Sequence, residues 1–147
     1  MQEKLNVFVD PRLEIQWVPE VNGRGVFAKE DIPTNTLIER APILHIPRGI
    51  LNMGYWFCQA EGIPSETFII DQYTIRWGDG IAGMPLGWVG IYNHSDNFNS
   101  HFLGWDDIDR SVVGVVTVRD IKAGEQVTVT YGDDFFKQKG YVTKIDL

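Results

Sequence analysis

The sequence predicts a mainly β protein built of small sheets, on three observations. Short apolar and β-branched runs recur along the chain, each bounded by Gly, Pro, Asn or Asp. Fifteen glycines and seven prolines in 147 residues suit many short elements joined by turns. The regular strand–helix alternation of a parallel α/β sheet is absent. With 44% hydrophobic and 22% charged residues the composition is that of an ordinary globular protein, and the length suits one domain, residues 1–147, with a real core.

In chain order, strands are expected at Leu5–Val9, which ends at Asp10–Pro11, and at Gly25–Ala28, which ends at the charged run Lys29–Asp31 before Pro33. Leu37–Glu39 and Ile43–Ile46 follow, separated by a stretch containing Pro42. The run Phe68–Trp77 alternates imperfectly but is rich in β-formers. Val112–Val118 is nearly all valine, and Gln126–Tyr131 alternates before a Gly-Asp-Asp turn. One helix is expected within Arg48–Gln59, weakened by Gly54. Two segments echo each other. "DIPTNTLI" (Asp31–Ile38) and "DIKAGEQV" (Asp120–Val127) each place a residue tolerant of positive φ, Asn35 or Gly124, at the same offset, so each should make a hairpin-like reversal.

The net charge is −7, from 13 Lys+Arg against 20 Asp+Glu, with a pI near 4.8. Affinity for nucleic acid comes largely from cationic side chains that displace counterions, so nucleic acid is not an expected partner. If the charge is functional, it favours a cationic partner, such as a lysine-bearing protein. Negative charge also serves solubility alone. Cys58 is the only cysteine, set among aromatics, and reads as a buried, inert thiol. No apolar h-region opens the chain and no apolar run approaches the ~18 residues of a membrane span, so the expected location is cytoplasmic, the host cytoplasm if the source is viral.

Several motifs compete for the chemistry. "GRGVFA" (Gly23–Ala28) matches the dinucleotide pattern G-x-G-x-x-A, but Pro33 and turn-formers follow where that pattern requires a helix. "YNHSDNFN" (Tyr92–Asn99) concentrates groups that donate and accept hydrogen bonds. His94 and His101 lack a third metal ligand at a recognised spacing, and no metal is expected. "DDIDRSVVGVVTV" starts like a calcium loop but has Val112 at the sixth position and Val118 at the twelfth. "YGDD" (Tyr131–Asp134) looks like the metal-holding turn of RNA-dependent RNA polymerases, an enzyme class too large for this chain.

Taken together, "NGRGVFAKEDIPTNTLIE", "GWVGIYNHSDNFNSHF" and "VTVRDIKAGEQVTVTYGDDFF" resemble, in order, the SET domain of S-adenosylmethionine-dependent protein lysine methyltransferases. "DQYTIRWGDG" is similar to the segment before Asn-His-Ser in compact bacterial and viral SET proteins. The resemblance runs from about Gly23 to Phe136. It implies a β-clip-like fold whose C-terminal segment threads under the Asn-His-Ser loop as a pseudoknot. It also implies that Gly23, Arg24 and Gly25 bind the methionine portion of S-adenosylmethionine through backbone groups, and that Asn93 and His94 meet its amine and adenine portions. Tyr131 matches the catalytic tyrosine, and Phe135 or Phe136 would pack near the adenine. Tyr73, Tyr92, Phe102 and Val129 are candidates for the lysine channel. Two departures stand out: Phe98 replaces the proline of Asn-His-Ser-x-x-Pro-Asn, and the cysteine-rich zinc segment of many histone-directed members is missing.

The implied partner is a lysine-bearing protein, histone or non-histone, and the short tail, together with the chain's several aromatics, five Trp among them, leaves room for a homodimer. Two other functions follow from the same residues. One is a catalytically weak SET-like module that binds lysine-containing proteins, motivated by Phe98 and the short tail. The other is a metal-dependent nucleotidyl transferase built on Asp133–Asp134, disfavoured by length and charge.

Overall fold

The computed structural model describes residues 7–64, 73–78, 80–103 and 112–130. Among them run ten strands: β1 (Phe8–Val9), β2 (Leu13–Val18), β3 (Gly23–Ala28), β4 (Leu37–Pro47), β5 (Ile75–Gly78), β6 (Ile81–Pro85), β7 (Asn93–His94), β8 (Ser100–Leu103), β9 (Val112–Thr117) and β10 (Gln126–Val129). The helix α1 spans Arg48–Glu61. The mainly β expectation holds, in two sheets. The larger has the order β5-β6-β4-β9-β8, with β1 also on β4, and the smaller has the order β2-β3-β10-β7.

The expected strands at Leu37–Glu39 and Ile43–Ile46 are one strand of 11 residues. Pro42 does not break it because the strand changes partner there. Leu37–Pro42 pairs with β9, and Ile43–Pro47 pairs with β6. A proline, lacking an N–H, is tolerated where one ladder ends and another begins. Strands β2, β6, β7 and β8 were not expected. In β2 only Leu13 and Val18 are buried, so its middle carries no alternating apolar signal. Of the expected run Phe68–Trp77, residues 73–77 are described and the strand β5 begins only at Ile75, while 68–72 lie outside the described residues.

The helix occupies its expected place. It buries Leu51 and Cys58, two turns apart on one face, and leaves Ile50, Met53, Trp56 and Phe57 exposed. Cys58 is the buried thiol anticipated from its neighbours. Among the described residues no helix is long and apolar enough to cross a membrane.

The two echoing segments are partners in space. Ile32 and Ile121 form an antiparallel bridge, each N–H donating to the other's carbonyl at 2.8 Å. Asp31 Oδ1 accepts from the Ala123 N–H, and Asp120 Oδ1 accepts from the Thr34 N–H, both at 2.9 Å. Asn35 (φ 56°) donates its N–H to Thr117 O, and Gly124 (φ 91°) donates its own to Ala28 O. The turns are therefore as expected, but neither closes a hairpin. Each copy pairs with strands of the other: β3 with β10 through Val26↔Val127, and β4 with β9 through Leu37↔Val116. The core forms along this quasi-two-fold, where Val26, Ile32, Ile38, Val113, Val115, Ile121 and Val127 are all buried and in contact.

Candidate active site

The site is built where β3, β7 and β10 meet. A single 3-10 turn at Pro19–Val21 ends on Asn22, held at φ 49° with its N–H donating to Pro19 O. That turn feeds Gly23, Arg24 and Gly25 into β3, opposite Val18, Trp17 and Gln16 of β2. No helix follows β3 directly, and the next element is the strand β4, so the dinucleotide-fold reading fails on structure as it does on sequence.

β10 runs parallel to β7 on its other side, with Thr128 beside Asn93 and Val129 beside His94. The Ser95 N–H extends this ladder to Val129 O at 3.0 Å. Asn99, buried at 1% exposure, grips the same strand through its side chain. Its Nδ2 donates to Gln126 O at 2.9 Å, and its Oδ1 accepts from the Thr128 N–H at 3.0 Å. The Asn-His-Ser loop is thus bonded along β10, and the C-terminal segment that would complete the expected pseudoknot lies outside the described residues. Tyr131 follows Val129 by two residues in sequence. Tyr131, Asp133, Asp134, Phe135 and Phe136 lie outside the described residues.

Asn93 joins the three strands. Its Nδ2 donates to Arg24 O at 3.0 Å and to Gln126 Oε1 at 2.7 Å. Gly25 lies directly beneath this pair. A Cβ there would sit 2.8 Å from Val18 Cγ2 and 2.9 Å from Asn93 Nδ2, and would overlap Gln126 Oε1. What comes close to the Gly25 backbone is therefore the protein's own amide pair. At Gly23 the nearest atom to such a Cβ is Val21 O at 3.7 Å, an ordinary contact. We expect Gly25→Ala to lose about 1–3 kcal/mol of stability through overpacking, read by urea unfolding. A loss under about 0.5 kcal/mol would show that the amide pair moves aside freely.

His94 is buried, with Nε2 3.0 Å from Asp96 Oδ1. His101 packs instead against Phe98, edge to face with ring centroids 4.9 Å apart. Phe98 therefore occupies the usual proline position while Asn99 keeps all its bonds to β10. Among the described residues no group of three or more His, Cys, Asp or Glu could hold a metal ion.

The channel candidates separate. Val129 is buried beside His94. Tyr92 is buried with its hydroxyl donating to Glu39 Oε1 at 2.8 Å, while the Trp88 N–H donates to Glu39 Oε2 at 2.8 Å. Burial, followed by the charge on Glu39, keeps Tyr92 well above its ordinary pKa, so it remains a phenol. Burial likewise raises Glu39, against two hydrogen bonds that oppose the shift. Tyr73 is exposed and lies against Gly90. Phe102 is half-buried at the edge of the core, opposite Val115. Sequence reasoning missed Gln126 and Glu39. Gln126 stands inside "GEQVTV", where nothing local shows that its side chain crosses to β7. Glu39 reads locally as a strand-end charge.

The residues fit the amino-acid end of S-adenosylmethionine. With both Nδ2 hydrogens committed, Asn93 has only an oxygen to offer, and an oxygen is what an ammonium group needs.

A family model for the SET domain matches residues 23–132. The chain is 30% identical over 114 residues to the histone-lysine N-methyltransferase, H3 lysine-37 specific, of Schizosaccharomyces pombe, covering 78% of this chain and 69% of that protein. It also superposes on the solved structure of a Plasmodium falciparum protein described as a histone methyltransferase. The TM-score is 0.55 at 25% identity, over 82% of this chain and 96% of the other. One relative is fungal, so the likeness is not confined to compact bacterial or viral proteins. A mainly β fold, a loop bonded along β10 and motifs matched in order agree on one assignment: the chain belongs to the SET-domain family of protein-lysine methyltransferases.

Proposed function

We propose that this domain transfers methyl groups from S-adenosylmethionine to the side-chain amine of a lysine in a protein substrate, with Tyr131 as the catalytic residue. The observation that carries the cofactor assignment is the meeting of Arg24 O, Asn93 and Gln126 on one point above Gly25. Gly23, Arg24 and Gly25 would hold the methionine portion through backbone groups. Asn93 and His94 would receive the amine and adenine portions, with Phe135 or Phe136 stacked near the ring. Val129 and Tyr92 would back the lysine channel, and Tyr73 and Phe102 would stand further out. Bound S-adenosylmethionine supplies an electrophilic methyl on a sulfonium.

The chain's task is to bring in a neutral amine. A free lysine has a pKa of about 10.4, so near pH 7.4 only about one in a thousand is neutral, roughly 4 kcal/mol uphill. A dry channel beside a sulfonium lowers that pKa, whereas a carboxylate at the nitrogen would raise it. The Tyr131 hydroxyl meets the requirement as a neutral dipole that orients the amine lone pair toward the methyl carbon. Asp133 and Asp134 would serve as turn or rim residues, where with the −7 charge they would attract an incoming cation. Histone and non-histone lysines both suit this surface. The lone buried thiol suits a reducing compartment such as the cytoplasm.

Phe98 and the short tail motivate the catalytically weak alternative. The intact Asn99 bonds to β10 remove the local reason for it. The test has two arms. S-adenosylmethionine at about 100 times its Kd should add about 2.7 kcal/mol of stability in a thermal shift. Transfer of labelled methyl to protein in crude lysate should fall about 10²–10³-fold in Tyr131→Phe, the scale of losing one aligned electrostatic partner. Equal labelling by Tyr131→Phe and wild type would remove Tyr131 from the mechanism. Binding without product in wild type would favour the non-catalytic module.

A further inference from the structure

We propose that Gln126 is a positioning residue for cofactor recognition, fixing the Asn93 side chain so that its oxygen is presented to the cofactor's α-ammonium group. The inference rests on the methyltransferase reading above and deepens its cofactor site.

A peptide carbonyl can only accept a hydrogen bond. The 3.0 Å contact to Arg24 O therefore identifies the Asn93 atom facing β3 as the nitrogen, Nδ2, without reference to the ambiguity of amide orientation. The second Nδ2 hydrogen goes to Gln126 Oε1 at 2.7 Å. With both hydrogens committed, Oδ1 must point away from the β3–β10 junction, and it receives no hydrogen bond from any described residue. An amide held by one bond can still swing about its χ angles. Two bonds to fixed groups remove that freedom before the ligand arrives.

Gln126 is itself anchored. Its backbone pairs with Phe27 on β3, and its carbonyl accepts from Asn99 Nδ2 at 2.9 Å. Its side chain lies over Gly25, where only a missing Cβ leaves room for it. Gly25, Gln126 and Asn93 thus form a stack in which each places the next: the glycine admits the glutamine, and the glutamine orients the asparagine. Only Asn93 would touch the ligand. The group it presents is a neutral acceptor, matched to an ammonium.

The test uses the full chain and two probes, S-adenosylhomocysteine and its desamino analogue, in calorimetric titrations of wild type, Gln126→Leu and Gln126→Glu. Gln126→Leu should bind S-adenosylhomocysteine about tenfold more weakly, the scale of one lost oriented hydrogen bond, and bind the desamino analogue as wild type does. Gln126→Glu keeps the acceptor for Asn93 and should recover most of the affinity. Equal weakening for both probes would assign Gln126 a merely structural role and overturn the proposal. So would unchanged binding in Gln126→Leu, or a Glu variant as weak as the Leu one. Failure of wild type to bind either probe would instead bring down the cofactor reading itself, and this inference with it.

Discussion

Asn99→Ala should lose about 3 kcal/mol of unfolding free energy, a large fraction of the ~5–15 kcal/mol that holds an ordinary domain together. The side chain is almost wholly buried and bonds two peptide groups of β10, accepting from the Thr128 N–H and donating to Gln126 O. Truncation leaves a buried N–H and a buried C=O without partners, each costing about 1–3 kcal/mol. The backbone contacts of the same residue, its N–H to Thr128 O and its carbonyl to the Val118 N–H, survive the substitution, which bounds the loss. Asn99→Asp separates this account from simple loss of packing. It keeps the shape and the acceptor for Thr128 but turns an oxygen toward Gln126 O, so it should be no more stable than the alanine variant. Urea unfolding of the three proteins decides the matter. An Asn99→Ala midpoint equal to wild type, or full recovery by Asp, would mean that β10 is held by its strand ladders alone.

That prediction could not have been made from the sequence, although the residue could be named there. The order of Gly-x-Gly, Asn-His-Ser and Tyr-Gly is visible along the chain, and so is the echo of Asp31–Ile38 in Asp120–Val127, because both are patterns of neighbours. Turn conformations at Asn35 and Gly124 were legible for the same reason: positive φ is a local requirement with few residue types that meet it. Pairing was not. The two turns look like hairpins until β3 is found on β10 and β4 on β9, a register set by burial of valines far apart in sequence. β4 reads as two strands because a proline within a run is a local stop signal, and only the change of partner at Pro42 overrides it. Gln126 and Glu39 escaped for a related reason. Each is an ordinary polar residue whose importance lies in an atom 33 or 53 positions away. The Phe98 departure looked disruptive in one dimension. In three, His101 covers its ring and Asn99 is undisturbed.

Glu39 supports the second large effect, and its sign can be worked out. The carboxyl is fully buried, receives the Trp88 N–H and the Tyr92 hydroxyl, and has its pKa raised from the ordinary 4.5 chiefly by burial. In the unfolded chain it releases its proton near that ordinary value. Between that pH and the higher folded value, the folded state holds a proton that the unfolded state has lost. Stability from this group is therefore complete below the ordinary value and falls as pH rises through the folded one. Asp10 works in the opposite sense. The Arg12 side-chain hydrogen bond lowers its pKa from 3.8, so its contribution is present above that value and is lost in stronger acid. The two windows lie on opposite sides of ordinary carboxylate titration, which lets Glu39→Gln isolate one of them. The difference in unfolding free energy between wild type and Glu39→Gln should shift toward wild type as pH falls from neutrality to about 4.5, then level off while the Asp10 loss continues in both proteins. Glu39→Ala should cost about 2–4 kcal/mol, since it removes the acceptor of the Trp88 N–H and of the buried Tyr92 hydroxyl and opens a cavity. The loss should reach the site too, because Trp88 and Tyr92 bracket the turn that delivers Asn93 and His94 to β10. A flat difference between wild type and Glu39→Gln across that range would show that the buried carboxyl titrates as it does in water.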